Sequence, residues 1–146
     1  MLKRIGLAIV LCLGMSVCAN AQTAAQQTCA IKTSLIQGGA KAANEKVAEF
    51  FAWNKNKKLT SFNASFGVLY KLKIVEVGAF EFGAIGDFYQ RHLVVATAEG
   101  NSSIYLVLDY EKVASTIRLF NVNMNTGAKK MLNGKQFFAP PEPLSC

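Results

Sequence analysis

Four cysteines reduce to two once the first 21 residues are read as a secretory signal peptide, and those two lie near opposite ends of what remains. Lys3 and Arg4 form a basic start. Ile5 to Val17 is an apolar run, shorter than the ~20 residues a membrane-spanning helix needs. Ala19-Asn20-Ala21 is a small-x-small cleavage signature. A cut before Gln22 removes Cys12 and Cys18 and keeps Cys29 and Cys146. Lipid attachment requires a small residue before the modified cysteine, whereas Val17 precedes Cys18 and Leu11 precedes Cys12. The expected product is periplasmic or secreted, has no transmembrane segment after cleavage, and is closed by a Cys29–Cys146 disulfide. The competing reading is a redox-active pair, but such pairs use Cys-x-x-Cys spacing, which these two cysteines lack.

Gln22 to Cys146 spans 125 residues, enough for one domain with a real core. Without Lys3 and Arg4, 14 basic residues face 9 acidic ones, a net charge of +5. The lysines are dispersed. The one dense run, Lys55, Lys57 and Lys58, contains no interleaved aromatic, so it offers no stacking platform and nucleic acid is not expected as a partner.

Residues 22–30 are polar and rich in Ala and Gln and read as a flexible lead. Ser34 with Gln37 resembles a capping box, with Thr33 as a competing cap. Ile36, Ala40, Ala43, Val47, Phe50 and Phe51 then recur at three-and-four spacing, which predicts an amphipathic helix from about Ser34 to Trp53. Gly38-Gly39 either delays its start to Ala40 or permits close packing. Leu59 to Phe66 is ambiguous between helix and loop. From Val68 the period becomes two, through Tyr70, Leu72 and Ile74, and predicts a strand with a bulge near Glu76. Ala79 to Phe82 reads as a short strand or a continuation. Further strands are expected over Phe88–Ala98, Ser103–Tyr110 and Val113–Met124, with a turn at Glu99-Gly100-Asn101-Ser102. The domain is thus read as residues 31–127. Residues 128–146 form an extended tail containing Pro140, Pro141 and Pro143, stapled back by Cys146.

One helix before several sequential strands is an α+β pattern, with the Phe50/Phe51 stripe covering a curved antiparallel sheet. Val47-Ala48-Glu49-Phe50-Phe51-Ala52-Trp53-Asn54, followed by Leu59 and Phe62, resembles the first helix of NTF2-like (cystatin-superfamily) domains. Ile104-Tyr105-Leu106-Val107-Leu108-Asp109-Tyr110 and Ile117-Arg118-Leu119-Phe120 resemble their paired final strands. The resemblance implies a helix on a curved sheet, a fold that hosts both enzymes and pure binding modules.

The inventory of reactive groups is short. His92 is the sole histidine, so a His/Cys zinc site has too few ligands, and no metal or cofactor is expected. No nucleophile elbow, P-loop, dinucleotide fingerprint or EF-hand loop occurs. His92 could act as a general base with Tyr89, Asp87 or Asp109, or be a plain strand histidine. The favoured reading is a non-enzymatic exported module that recognises a protein or cell-envelope partner. A small apolar ligand or lipid held between helix and sheet is the alternative, and a small pocket enzyme using His92 comes third. The candidate binding residues are Trp53, Tyr89, His92 and Tyr110.

Overall fold

A computed structural model describes residues 22–51, 66–128 and 140–146. The signal segment, Trp53, the lysine run and most of the Pro-containing tail lie outside the described residues.

Helix α1 runs from Ala24 to Phe50, so residues 22–30, read above as a flexible lead, instead carry its first turns. Its cap is Thr23. The Thr23 hydroxyl accepts from the Gln26 amide at 3.1 Å, and the Thr23 amide donates to the Gln26 side chain at 2.9 Å. That is the reciprocal capping box expected at Ser34/Gln37, built eleven residues earlier on Thr23-Ala24-Ala25-Gln26. The buried stripe begins with Ala24, Gln27, Thr28, Ile31 and Leu35.

The helix is broken once. Gly39 sits at φ 66° and ψ −162°, a conformation open essentially to glycine alone. The break resets the phase of the buried face, which continues through Ala40, Ala43, Val47 and Phe51. Ile36, expected on that stripe, lies before the break and is 56 % exposed.

Val68–Lys71 is a 3-10 turn rather than the start of a strand. Phe66 and Leu69 are both buried, at the three-residue spacing of a helical turn, while Tyr70 is partly exposed and its hydroxyl accepts from the Asn44 amide of α1 at 2.9 Å. Strand β1 then spans Ile74–Ile85, β2 Tyr89–Ala98, β3 Ser102–Val113 and β4 Thr116–Asn125. They form an antiparallel meander. A short β5, Glu142–Pro143, pairs with the outer edge of β1, giving the order β4-β3-β2-β1-β5. The fold is therefore α+β, one helix packed on a five-stranded antiparallel sheet.

The expected bulge near Glu76 is present: Ile74 pairs with Ala98 and Glu76 with Thr97, leaving Val75 as the extra residue. Ala79 to Phe82 continues β1, and Phe88 falls in the β1–β2 turn. The turn at Glu99–Asn101 forms as read, with Gly100 at φ 83° and Asn101 at φ 62°. Two further register shifts occur. Phe82 is extra on β1, and Phe120 is extra on β4, where Asp109 faces Asn121 and Tyr110 faces Leu119.

Alternation separates the sheet's two faces. Val94, Ala96, Leu106 and Leu108 join Ile31, Leu35 and Val47 in the main core under α1. Phe82, Leu93 and Val107 form a second buried cluster. Cys29 and Cys146 are bonded, with their Cα atoms 5.3 Å apart, so the bridge ties α1 to the end of the tail as expected. Among the described residues no helix is long and apolar enough to cross a membrane.

Candidate functional site

Neighbouring residues on a strand point to opposite faces, and two such pairs organise the polar chemistry here. Arg91 and His92 are adjacent on β2, and Asp109 and Tyr110 are adjacent on β3. One member of each pair faces the helix and the other faces away.

On the helix side, Thr28 reaches the sheet from α1. Its hydroxyl lies 2.7 Å from His92 Nδ1 and 2.8 Å from the Tyr110 hydroxyl. All three side chains are fully buried, and the His92 and Tyr110 rings are 5.2 Å apart. His92 Nε2 has no hydrogen-bond partner and sits 3.8 Å from the Glu81 carboxylate. One proton arrangement suits this set. Tyr110 donates to Thr28, Thr28 donates to Nδ1, and the ring proton sits on Nε2, facing the Glu81 charge. The other tautomer would aim a lone pair at that carboxylate. Burial pushes the His92 pKa down to about 4 and pushes the Tyr110 phenol up. In this position neither ring has a face open to a substrate. Both were candidate binding residues, and the structure places them in the core, where they join helix to sheet.

This burial makes stability depend on pH. The unfolded chain protonates His92 near 6.5, and the folded chain does so near 4. Below pH 6.5 the unfolded state therefore binds more protons, and stability falls as pH drops towards 4. The loss approaches about 3 kcal/mol, at 1.36 kcal/mol per pKa unit. Urea unfolding of wild type and His92→Asn at pH 7 and pH 4 checks this. The gap between the two proteins should narrow or reverse at pH 4; a gap independent of pH would refute it.

On the outer face, Arg91, Asp109 and Asn121 face one another in register across β2, β3 and β4. The Asp109 carboxylate is at the centre. It accepts from Arg91 Nε at 2.6 Å and Nη2 at 3.3 Å, from Asn121 Nδ2 at 2.7 Å, and from the Tyr89 hydroxyl at 2.8 Å. Burial alone would raise the Asp109 pKa; the bonds from Arg91, Asn121 and Tyr89 overcome it and hold the carboxyl below its usual range. Burial and then the Asp109 carboxylate push the Tyr89 phenol up, so it stays protonated and donating. The Tyr89 ring lies between the Arg91 guanidinium, 5.6 Å from its centroid, and Phe120, at 6.2 Å. The extra residue on β4 is what brings Phe120 here.

Tyr89 is thus the candidate that the structure keeps at a surface site, and Trp53 falls outside the described residues. Tyr89 and Asp109 do not join His92, because the sheet separates them. Asp87 pairs instead with Lys112 at the β1–β2 turn, at 3.3 Å. Sequence reading missed Thr28, Arg91 and Asn121. Strand alternation carries the signal for Arg91, which lies two residues from Tyr89 on the same face. Among the described residues, no group of three or more His, Cys, Asp or Glu side chains is arranged to hold a metal ion.

Helix, meander and outward polar row define a helix-on-sheet α+β domain. No family model, curated protein or solved structure matches the chain.

Proposed function

We propose that the protein is an exported, non-enzymatic binding module of the bacterial cell envelope, and that it meets its partner through the outer face of the sheet. The observation that carries this reading is the Arg91–Asp109–Asn121 row with Tyr89 and Phe120 beside it. Tyr89, Arg91 and Asn121 are held in fixed positions by one buried carboxylate, and all of these side chains but Asp109 are partly exposed. A prearranged surface loses little side-chain entropy on binding. The same end of the sheet exposes Phe88, 75 % accessible, with its carbonyl held by the Lys112 amide at 2.9 Å. The signal segment and the internal disulfide support export. One helix laid on an antiparallel sheet is an arrangement that NTF2-like domains share, and it leaves the function to be argued from the site.

A photo-crosslinking residue at Asn123, exposed on this face, tests the reading against one at Ile36 on the helix. The expected result is an envelope-derived adduct from position 123 and none from position 36. No adduct from 123, or equal labelling from both, would overturn it.

A further inference from the structure

We infer that the outer-face row of Tyr89, Arg91, Phe120, Asn121 and Asn123 binds a neutral carbohydrate chain, an inference that rests on the outer-face reading above. Arg91 is the one cation of the row, and Asp109 neutralises it through two hydrogen bonds. Within the row an anionic ligand would find no uncompensated cation and would have to compete with a carboxylate held at 2.6 Å; the cation of the adjacent register pair, Arg118, stands opposite Glu111.

The hydrogen-bonding groups come next. Arg91 uses Nε and Nη2 on Asp109, and its Nη1 donates to no described residue. Asn121 uses its amide nitrogen on Asp109, which leaves its carbonyl oxygen as an acceptor. Asn123, two residues on and on the same face, is exposed and makes no side-chain hydrogen bond among the described residues, so it offers both a donor and an acceptor. Hydroxyl groups donate and accept at once, so a polyhydroxylated ligand matches this mixture of planar polar groups. Phe120, partly exposed beside Tyr89, adds ring surface for the C–H face of a sugar ring. Strand spacing sets the scale. Arg91 and Asn121 lie two strands apart, roughly 10 Å, and Asn121 and Asn123 are about 7 Å apart along β4. That extent suits a chain of linked rings better than a single small solute. The row is also prearranged, because every group that would touch the ligand, apart from Phe120 and Asn123, is already fixed on Asp109.

The test is an array of neutral hexose and N-acetylhexosamine oligosaccharides with uronic-acid and sulfated counterparts, followed by an amide-shift titration with the strongest neutral binder. Expected are retention of neutral glycans, little dependence on salt, and shifts centred on Arg91, Asp109 and Asn121. Asn123→Ala should weaken binding about five-fold, the loss of roughly one net hydrogen bond. Phe120→Ala should weaken it more, while Ile36→Asp on the helix leaves it unchanged. Asn123 is exposed and makes no side-chain hydrogen bond among the described residues, so its variant stays informative if Phe120→Ala folds poorly. Retention of anionic glycans alone, shifts confined to another face, or no glycan retained would overturn the inference. In that last case a position-123 crosslink to a protein keeps the module reading, and its absence removes both.

Discussion

Loss of the Cys29–Cys146 bridge should lower the folding stability by roughly 4–5 kcal/mol and release the tail from the sheet. The bonded residues are 117 positions apart, so the bridge closes almost the whole domain. Chain-entropy models assign that much to a loop of this length. Domains of this size are commonly stable by about 5–15 kcal/mol, so the bridge is a large share of the total. Among the described residues β5 is held otherwise by a short pairing and by Leu144, which packs against the main core. The strand pairs through two residues, and Pro143 has no amide to donate. Glu142 stands directly opposite Glu81, a like-charge pair that weakens the ladder. One further backbone bond, from the Leu144 amide to the Ala79 carbonyl at 2.9 Å, extends the pairing. Urea unfolding of Cys29→Ala/Cys146→Ala, which leaves no free thiol in the described chain, checks the magnitude. Hydrogen exchange should show the Leu144 amide losing protection while amides of β2 and β3 keep theirs. An unchanged urea midpoint would show that the clasp is ornamental.

That clasp was legible because cysteine pairing in an exported chain needs only a count and a compartment. The middle strands were legible for a similar reason. Val94 and Ala96 alternate with Leu93 and Val95, and the Gly100-Asn101 turn takes the left-handed backbone that those residues tolerate. The helix start was harder to read. Gln27 and Thr28 occupy buried positions on its stripe, and their polarity made residues 22–30 look solvated. Thr28 is polar there because it reaches His92 and Tyr110 on the sheet, contacts between 64 and 82 residues apart in sequence. The Gly39 break then shifted the phase, so Ile36 falls off the stripe that Ala40, Ala43, Val47 and Phe51 form, and a separate stripe runs from Ala24 to Leu35.

The outer row shows a different limit. Strand alternation alone places Tyr89 and His92, three residues apart, on opposite faces, so that part was readable. The alignment of Arg91, Asp109 and Asn121 depends on the registers of two strand pairs, and β4 carries an extra residue beside Asp109. A slip of one residue would turn Asn121 away from the carboxylate. The β2–β3 register follows from the legible Gly100-Asn101 turn, but nothing in the local sequence announces the extra Phe120 that places Asn121 opposite Asp109.

Replacing Asp109 by alanine should cost about 3–5 kcal/mol, the range for removing one partner of a buried ion pair. Asp109 is 2 % exposed, and its loss would strand the Arg91 guanidinium, the Tyr89 hydroxyl and the Asn121 amide together. Arg91 keeps a side-chain exposure of 20 %, so it can partly rehydrate, which favours the lower end of the range. Asp109→Asn retains the shape but adds an amide that faces donors on three sides, and it should recover little. Arg91→Met/Asp109→Leu removes both charges and should be more stable than Asp109→Ala, because no uncompensated charge remains. The pH dependence follows the same carboxylate. Its folded pKa lies below the unfolded one, so its contribution is present above the ordinary carboxyl range and is lost as pH falls through the folded value. Wild type and the double variant should therefore converge in strong acid. Thermal and urea unfolding of the three variants decide the matter. If Asp109→Ala loses less than about 1 kcal/mol, or the double variant is the weakest, the row is not held together by this carboxylate. A row without that anchor would pay the ordering entropy of its long side chains on every binding event, and the prearranged surface proposed above would have no physical basis.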